Sequence, residues 1–181
     1  RVQPRFKLVG PFERKLQAMG ADLVYFVAPM SRSVSLQTLN HMATIWDLCH
    51  RDSPEFPEVR AFGEFQIREF HYRNFLASAY AILVDSEFLA ERVASRYGID
   101  SERLIAMPFA PGPFMEAAHA LATSEVLRIY KLESGYFFYP AQFWAHKNHV
   151  RIVEALSALR ERGGHRQLVF SGGYKGNRDH V

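Results

Sequence analysis

The sequence predicts an α/β protein with a parallel sheet, and three features of the 181-residue chain support that fold class. Short runs of apolar and β-branched residues recur along it, as in strands that are covered on both faces. Between them lie segments with apolar residues at a spacing of three or four, as in amphipathic helices. Proline and glycine stand at the ends of both kinds of segment. Strand, helix and strand in that order imply parallel strands joined by right-handed crossovers.

The amino-terminal part predicts a helix and two strands. A helix is predicted over residues 11–19, a strand over 23–27, a loop over 31–41 and a second strand over 42–48. The second strand (MATIWDL) delivers Asp47 and His50 to the carboxyl edge of the sheet, where open α/β proteins bind ligands. The competing interpretation is that Asp47 only turns the chain and that His50 is solvated.

A long aromatic helix is predicted next. The segment 51–60 contains two prolines and predicts an extended loop. Helical spacing over 62–79 then predicts a buried face made of Phe62, Phe65, Glu69, Tyr72, Phe75 and Ala79. The accompanying basic residues Arg68, His71 and Arg73 would also suit a face that contacts a membrane or a partner, but aromatic stripes of this kind usually pack in a core.

A strand, helix and strand follow over 81–84, 87–97 and 104–107. Asp85 and Ser86 are good helix-capping residues, and Gly98 suits the left-handed position that ends a helix. The segment 108–114 (PFAPGPF) holds three prolines and a glycine, and predicts a domain boundary. We therefore expect one domain over 1–112 and a linker with a second domain over 113–181.

The second part predicts a helix over 117–130 and then another strand, helix and strand. The run GYFFYP, 135–140, predicts a strand covered on both faces and ended by Pro140, and 167–171 predicts the next strand. The intervening helical pattern begins near Val150, so Lys147 is expected at the start of that helix. A lysine at a helix start after a strand is a common way to hold a phosphate.

Composition excludes several classes of protein. A formal charge of +3 and scattered basic residues give no strong indication of nucleic-acid binding. The single cysteine, Cys49, cannot form an internal disulfide and suits a reducing compartment. The apolar runs are shorter than the roughly 20 residues of a membrane span. We therefore expect a cytoplasmic location, with the inner face of a membrane as an alternative, and a chain that is part of a longer protein.

Three stretches in one consistent order resemble a known family. Residues 79–112 (AYAILVDSEFLAERVASRYGIDSERLIAMPFAPG) look like the end of the first domain of group 1 (family 4) retaining glycosyltransferases of the GT-B class. Residues 135–177 are similar to the opening of their second domain, and 44–59 (TIWDLCHRDSPEFPEV) resemble a first-domain loop. The resemblance implies two Rossmann-like domains, each only partly present in this chain.

The resemblance also implies an activity: transfer of a sugar from a nucleotide-sugar donor, bound by the second domain, to a glycan or lipid-linked acceptor held by the first. The sugar would be transferred with retention at its anomeric carbon. Two alternatives stay open, a non-catalytic relative that binds nucleotide sugars and a sugar-nucleotide epimerase. The implied partners are the donor and the acceptor, with a peripheral membrane contact as a further option.

The family's donor loop has an arginine followed five residues later by a lysine. Lys147 falls on the lysine position and Gln142 on the arginine position, so one positive charge of the family pattern is replaced by an amide. Gly172 and Gly173, in the segment SGGYKGN over 171–177, fit either a donor contact or a plain turn. The paired glutamates that hold the sugar in this family are not in the chain.

The acceptor-side candidates are Asp47, His50 and Ser86, because Trp46 stands where the family often has a histidine. No catalytic residue is identified, and the resemblance implies no cofactor because the nucleotide sugar is a substrate. His146 and His149 are three apart and could share a metal ion, but no third ligand is evident and we expect no metal site.

Overall fold

The computed structural model describes residues 9–29, 35–113 and 120–173. In chain order its main elements are α1 (Pro11–Ala18), β1 (Leu23–Tyr25), β2 (Asn40–Ile45), α2 (Cys49–Asp52), α3 (Glu64–Ser78), β3 (Ala81–Val84), α4 (Glu87–Tyr97), β4 (Leu104–Ala106), α5 (Thr123–Tyr130), β5 (Phe137–Pro140), α6 (His149–Glu161) and β6 (Leu168–Ser171). Short 3₁₀ turns lie at Pro57–Val59, Ala61–Gly63, Ser101–Arg103 and Ala145–Lys147. The predicted α/β class is confirmed.

Two compact units make up the chain, and each is described by itself. The first consists of Arg1–Pro54 and Phe62–Ala110, and the second of Glu55–Ala61 and Pro111–Val181. The change between Ala110 and Pro111 falls within the proline-rich segment 108–114. Assignment of Glu55–Ala61 to the second unit has no counterpart in the sequence pattern.

The first unit contains a four-stranded parallel sheet in the order β1-β2-β3-β4. Ile45 lies opposite Val84, and Val84 lies opposite Ala106, so β2, β3 and β4 end level with one another. Because all neighbours are parallel, the segments that follow β2 and β3 emerge at one carboxyl edge. This arrangement is compatible with a Rossmann-like fold, and it confirms the parallel crossovers predicted from the order of elements.

The core of the first unit lies on the central strands. All four residues of β3 are buried, which confirms that this strand is covered on both faces. Helix α3 contributes Phe75 and Leu76, and α4 contributes Val93, all three with no exposed surface. Burial of each such side chain stabilises the fold by about 1.5–3 kcal/mol, so the core fixes the helices that flank the carboxyl edge.

A buried carboxylate in α1 organises the loop before β2. Glu13 is fully buried and accepts hydrogen bonds from the backbone N–H groups of Gln37, Thr38 and Leu39, at 2.7–2.9 Å, and from the Thr38 hydroxyl. Burial alone would raise the pKa of Glu13, but these donors outweigh it and lower the pKa to about 2. The charged carboxylate thus supplies hydrogen-bond acceptors for three loop N–H groups.

Arg103 ties the end of α3 to the turn before β4. Its Nη2 atom donates hydrogen bonds to the carbonyl oxygens of Leu76 at 2.8 Å, Ala77 at 3.4 Å and Ala79. These carbonyls belong to the last turn of α3 and its C-cap, where a helix runs out of intrahelical N–H donors, although the Ala79 N–H reaches the Leu76 oxygen at 3.4 Å. A cation at this helix end also suits the helix dipole.

Two predicted boundaries in the first unit differ from the structure. The strand predicted over 42–48 ends at Ile45, because Asp47 then turns the chain through a hydrogen bond from the Cys49 N–H. The helix predicted over 62–79 begins at Glu64, because Phe62 and Gly63 have left-handed backbones, with φ of 56° and 77°. Phe62 was expected on the buried face and is instead fully exposed. Residues 31–34 of the predicted loop lie outside the described residues.

The second unit contains β5 and β6 as a parallel pair, with Phe138 opposite Val169. The expectation that β5 is covered on both faces is wrong for the described residues, since Phe137 and Phe138 are half exposed and β5 pairs only with β6. The helix predicted over 117–130 begins at Thr123 in the structure. Three parts of the predicted segments lie outside the described residues: 117–119 of this helix, residue 114 of the boundary segment and 174–177 of the glycine-rich segment.

Candidate functional site

The carboxyl edge of the first sheet places Asp47 in a turn of the chain. Its Oδ1 atom accepts hydrogen bonds from the Cys49 N–H at 2.9 Å and from Arg68 Nη1 at 3.0 Å. Arg68 also binds Glu64, one helical turn earlier on α3, at 2.8 Å. Burial and the neighbouring Asp47 raise the pKa of the Cys49 thiol, which argues against a nucleophilic role for that residue.

His50 lies beneath this edge, where the competing interpretation that it is solvated proves wrong. It has no exposed surface, and its Nε2 atom lies 3.0 Å from Glu69 Oε1 and 3.3 Å from the Tyr97 hydroxyl. Burial lowers the pKa of His50 despite the nearby carboxylate, so the neutral ring is favoured. The ring also packs edge-on against Tyr72, with 5.2 Å between ring centroids. His50 is therefore part of the interior.

Glu69 is the centre of a polar network in that interior. Its carboxylate accepts hydrogen bonds from Arg51 Nε and Nη2, from Arg73 Nε and from the Tyr97 hydroxyl. The paired bond from Arg51, opposed by burial, holds the pKa of Glu69 well below its usual range. A charged pair that is mostly buried is retained only when its hydrogen bonds are satisfied, as they are here.

Ser86, the third acceptor-side candidate, caps α4. Its Oγ atom accepts a hydrogen bond from the Leu89 N–H at 3.3 Å and donates one to Asp85 Oδ1 at 2.8 Å. This arrangement satisfies one of the helix-end N–H groups and confirms the predicted cap. The hydroxyl is thus engaged within the chain.

A cavity of about 320 Å³ opens beside Asp47. Its walls include Pro29, Trp46, Asp47, Glu64, Arg68 and Tyr72. Trp46 is 48% exposed, so its ring faces solvent beside the polar cluster of Asp47, Glu64 and Arg68. An exposed indole next to carboxylate and guanidinium groups can pack against the apolar face of a sugar while hydrogen-bonding its hydroxyls. His50 and Ser86 do not line this cavity.

Lys147 lies in the second unit, before α6 rather than in its first turn, which corrects the expected position. It ends the 3₁₀ turn Ala145–Lys147, and Asn148 then caps α6 by accepting a hydrogen bond from the Arg151 N–H. The Tyr139 hydroxyl donates to the Lys147 carbonyl oxygen at 2.9 Å, which ties the turn back to β5. The exposed Lys147 side chain has no ion-pair partner within the ranges that the structure describes.

The loops after β5 and β6 meet at the carboxyl edge of the second sheet. The Gly173 N–H donates a hydrogen bond to Gln142 Oε1 at 2.9 Å. A Cβ atom on Gly172 would lie only 2.3 Å from the Ala141 carbonyl oxygen, and one on Gly173 would lie 2.9 Å from Gln142 Oε1. Gly172 therefore needs glycine, because the atom it meets is backbone, whereas at Gly173 the neighbouring atom is the end of a side chain that can move. Three of the four donor-side candidates come together here.

The two histidines of the second unit have different surroundings. His146 binds Glu58 through both its backbone N–H and its ring Nδ1 atom. His149 is buried, stacked on Phe143 at 4.6 Å and in contact with Phe170 at 5.0 Å between ring centroids. Over residues 9–29, 35–113 and 120–173, no three His, Cys, Asp or Glu side chains are grouped so that they could hold a metal ion.

Comparison with known proteins assigns no family. No protein-family model matches the sequence, and no curated protein matches it. In the part of the chain that the structure describes, no helix combines the length and apolarity needed to cross a membrane. The motifs and the geometry of the two sheet edges are therefore what supports a functional assignment.

Sequence reasoning missed two residues that organise the first edge. Arg68 was considered only as part of a basic face, although its spacing of four from Glu64 is that of a helical ion pair, and this signal was available. Glu69 was placed on the buried face, but its partners Arg51 and Tyr97 are 18 and 28 residues away, so no local pattern could identify them.

Proposed function

We propose that the chain belongs to a retaining glycosyltransferase of the GT-B class and supplies parts of its acceptor and donor sites. The observation that carries the proposal is the junction of the loops after β5 and β6, where Gln142 binds the Gly173 N–H. Lys147 follows on the first of these loops. In α/β proteins the carboxyl edge of a parallel sheet is the usual place for a nucleotide ligand.

The donor in this proposal is a nucleotide sugar whose diphosphate binds beside Lys147. The ammonium group and exposed N–H groups of the two loops would neutralise the nucleoside diphosphate as it departs and the sugar gains positive character. This electrostatic role needs no nucleophile from the protein. Loss of one such charge typically lowers turnover by about 10²-fold or more.

The acceptor in this proposal is a glycan or lipid-linked sugar that enters the cavity beside Asp47. Trp46 would pack on the sugar ring, and the Asp47 and Arg68 side chains would bind its hydroxyl groups. His50 is too deeply buried to reach an acceptor, so Asp47 is the candidate that remains on this edge.

A non-catalytic role in binding nucleotide sugars is the second candidate. It is favoured by Gln142, which carries no charge and whose side-chain oxygen atom already accepts a hydrogen bond from the Gly173 N–H. Such a protein would bind a nucleotide sugar without releasing nucleoside diphosphate.

The test is to incubate the full-length protein with several nucleotide sugars and measure nucleoside diphosphate release with and without glycan or lipid acceptors. Acceptor-dependent release supports a transferase, and release without an acceptor supports an epimerase or hydrolase instead. Lys147→Ala should lower release by about 10²-fold or more, whereas Arg160→Ala, which removes an exposed charge near the other end of α6, should leave it unchanged. Full turnover by Lys147→Ala would refute the role given to Lys147.

A further inference from the structure

We propose that Gln142 is a positioning residue, which holds the Gly172–Gly173 turn with its oxygen atom and presents its amide nitrogen to the donor diphosphate. This inference rests on the proposed function for the diphosphate, but the positioning itself stands on the contact between the two loops.

The orientation of the Gln142 amide follows from its partner. A backbone N–H can only donate, so the Gly173 N–H must face the Oε1 atom of Gln142, as it does at 2.9 Å. The two N–H donors on Nε2 take no part in this bond, and Nε2 itself would lie 3.3 Å from a Cβ on Gly173. No protein group accepts from them within the described ranges, so they stay available for an anion.

The backbone on both sides of this bond is itself held in place. The Gln142 carbonyl oxygen accepts a hydrogen bond from the Trp144 N–H at 2.8 Å, which closes a tight turn after β5. On the other side, the Ala141 carbonyl oxygen would lie 2.3 Å from a Cβ on Gly172, so the loops touch through their backbones. The Gln142 side chain thus joins two loops that already lie in contact.

An arginine at position 142 could not hold the Gly172–Gly173 turn in this way. Guanidinium has five N–H donors and no acceptor, so it cannot bind the Gly173 N–H. Restoring the charge found in the glycosyltransferase pattern should therefore release the turn. Glutamate keeps the acceptor oxygen but repels an anion, and methionine keeps the length of the side chain but lacks both functions.

The experiment uses amide NMR spectra of the 181-residue chain and its variants Gln142→Arg, Gln142→Glu and Gln142→Met. Exchange of the Gly173 amide with solvent should be slow in the wild type and in Gln142→Glu. It should be roughly 2- to 10-fold faster in the other two variants, the size expected for one hydrogen bond. Inorganic pyrophosphate, which is independent of the nucleotide, should shift the Gly173 signal in the wild type and less in all three variants.

Gln142→Glu carries the decisive comparison, because it should rescue the protection of Gly173 without rescuing pyrophosphate binding. Equal exchange of Gly173 in all four proteins, or tighter pyrophosphate binding by Gln142→Arg than by the wild type, would overturn the inference. If the exchange pattern is as expected but pyrophosphate shifts no signal even in the wild type, the donor site of the proposed function is refuted and the positioning of the turn by Gln142 is retained.

Discussion

Glu69 in α3 accepts hydrogen bonds from both Nε and Nη2 of Arg51, so one paired ion bridge joins two helices beneath the carboxyl edge of the sheet. His50, next to Arg51 in the chain, packs against the same carboxylate. The short helix that presents these residues has only four residues of its own. Its position therefore depends on Glu69 rather than on helical propensity.

Replacement of Glu69 by glutamine should destabilise the first unit by about 3 kcal/mol, because Arg51 would keep its charge in a mostly buried site without a carboxylate. Urea unfolding followed by circular dichroism would measure the loss. Glu64→Gln is the matched control, since Glu64 lies on the same helix in a partly exposed pair with Arg68 and should cost less than about 1 kcal/mol. Similar losses in both variants would contradict a central role for Glu69.

Glu13 should make stability depend on pH in the acid range. Its folded pKa of about 2 is below the ordinary value of 4.5, so its contribution is complete above about pH 4.5 and is lost as the pH falls towards 2. Glu13→Gln should lower the free energy of unfolding near neutral pH by roughly 2 kcal/mol, as for hydrogen bonds to a charged group.

The control for Glu13 is the shape of the acid profile. When unfolding is measured at a series of pH values, the free energy of unfolding should fall less between pH 4.5 and 2 in Glu13→Gln than in the wild type. The fall that remains in the variant includes the contribution of Glu69. Identical slopes in the two proteins would show that Glu13 is not charged in the fold.

Ser86→Ala should destabilise α4 by about 1 kcal/mol, the usual cost of losing an N-cap side chain. Ser86→Asn should restore that stability, since the asparagine amide can accept from the Leu89 N–H and donate to Asp85 as the hydroxyl does. If the hydroxyl serves only the helix, Ser86→Asn should also keep the acceptor-dependent release of nucleoside diphosphate. Stability that recovers without that release would show that Ser86 also contacts the acceptor.

Gly172→Ala should force the loops after β5 and β6 apart, because its Cβ would lie 2.3 Å from a backbone oxygen that has no freedom to rotate away. The expected cost is about 1–3 kcal/mol, as for other overpacked sites, together with altered amide signals at Ala141 and Gln142. Gly10→Ala is the control, since no atom lies within 4 Å of its added Cβ. Unchanged signals at Ala141 would contradict the close approach.

The sequence predicts the structure correctly where interactions between residues close in the chain determine the backbone. The buried run of β3, the Ser86 cap and the left-handed Gly98 all act within a few residues, and the structure places each as predicted. Because these signals fix where α4 begins and ends, they also predicted the parallel crossover correctly.

The wrong predictions concern residues whose position depends on a distant partner or on one unusual backbone angle. Phe62 has the correct spacing for the buried face, but its left-handed backbone begins the helix two residues later and leaves the ring in solvent. His50 looked like an exposed edge residue because its partner Glu69 is 19 residues away. Lys147 is expected in the first turn of α6, but Asn148 caps that helix, so Lys147 lies just before it.

The hydrogen bonds of Arg103 affect local unfolding of the first unit. Its guanidinium holds the last carbonyls of α3 from a turn that lies beyond β3 and α4 in the chain. Fraying of α3 at that end would break all of these hydrogen bonds at once, so partial opening is penalised. The stretch from α3 to β4 should therefore behave as one cooperative block, resistant to proteolytic nicking until the whole unit unfolds.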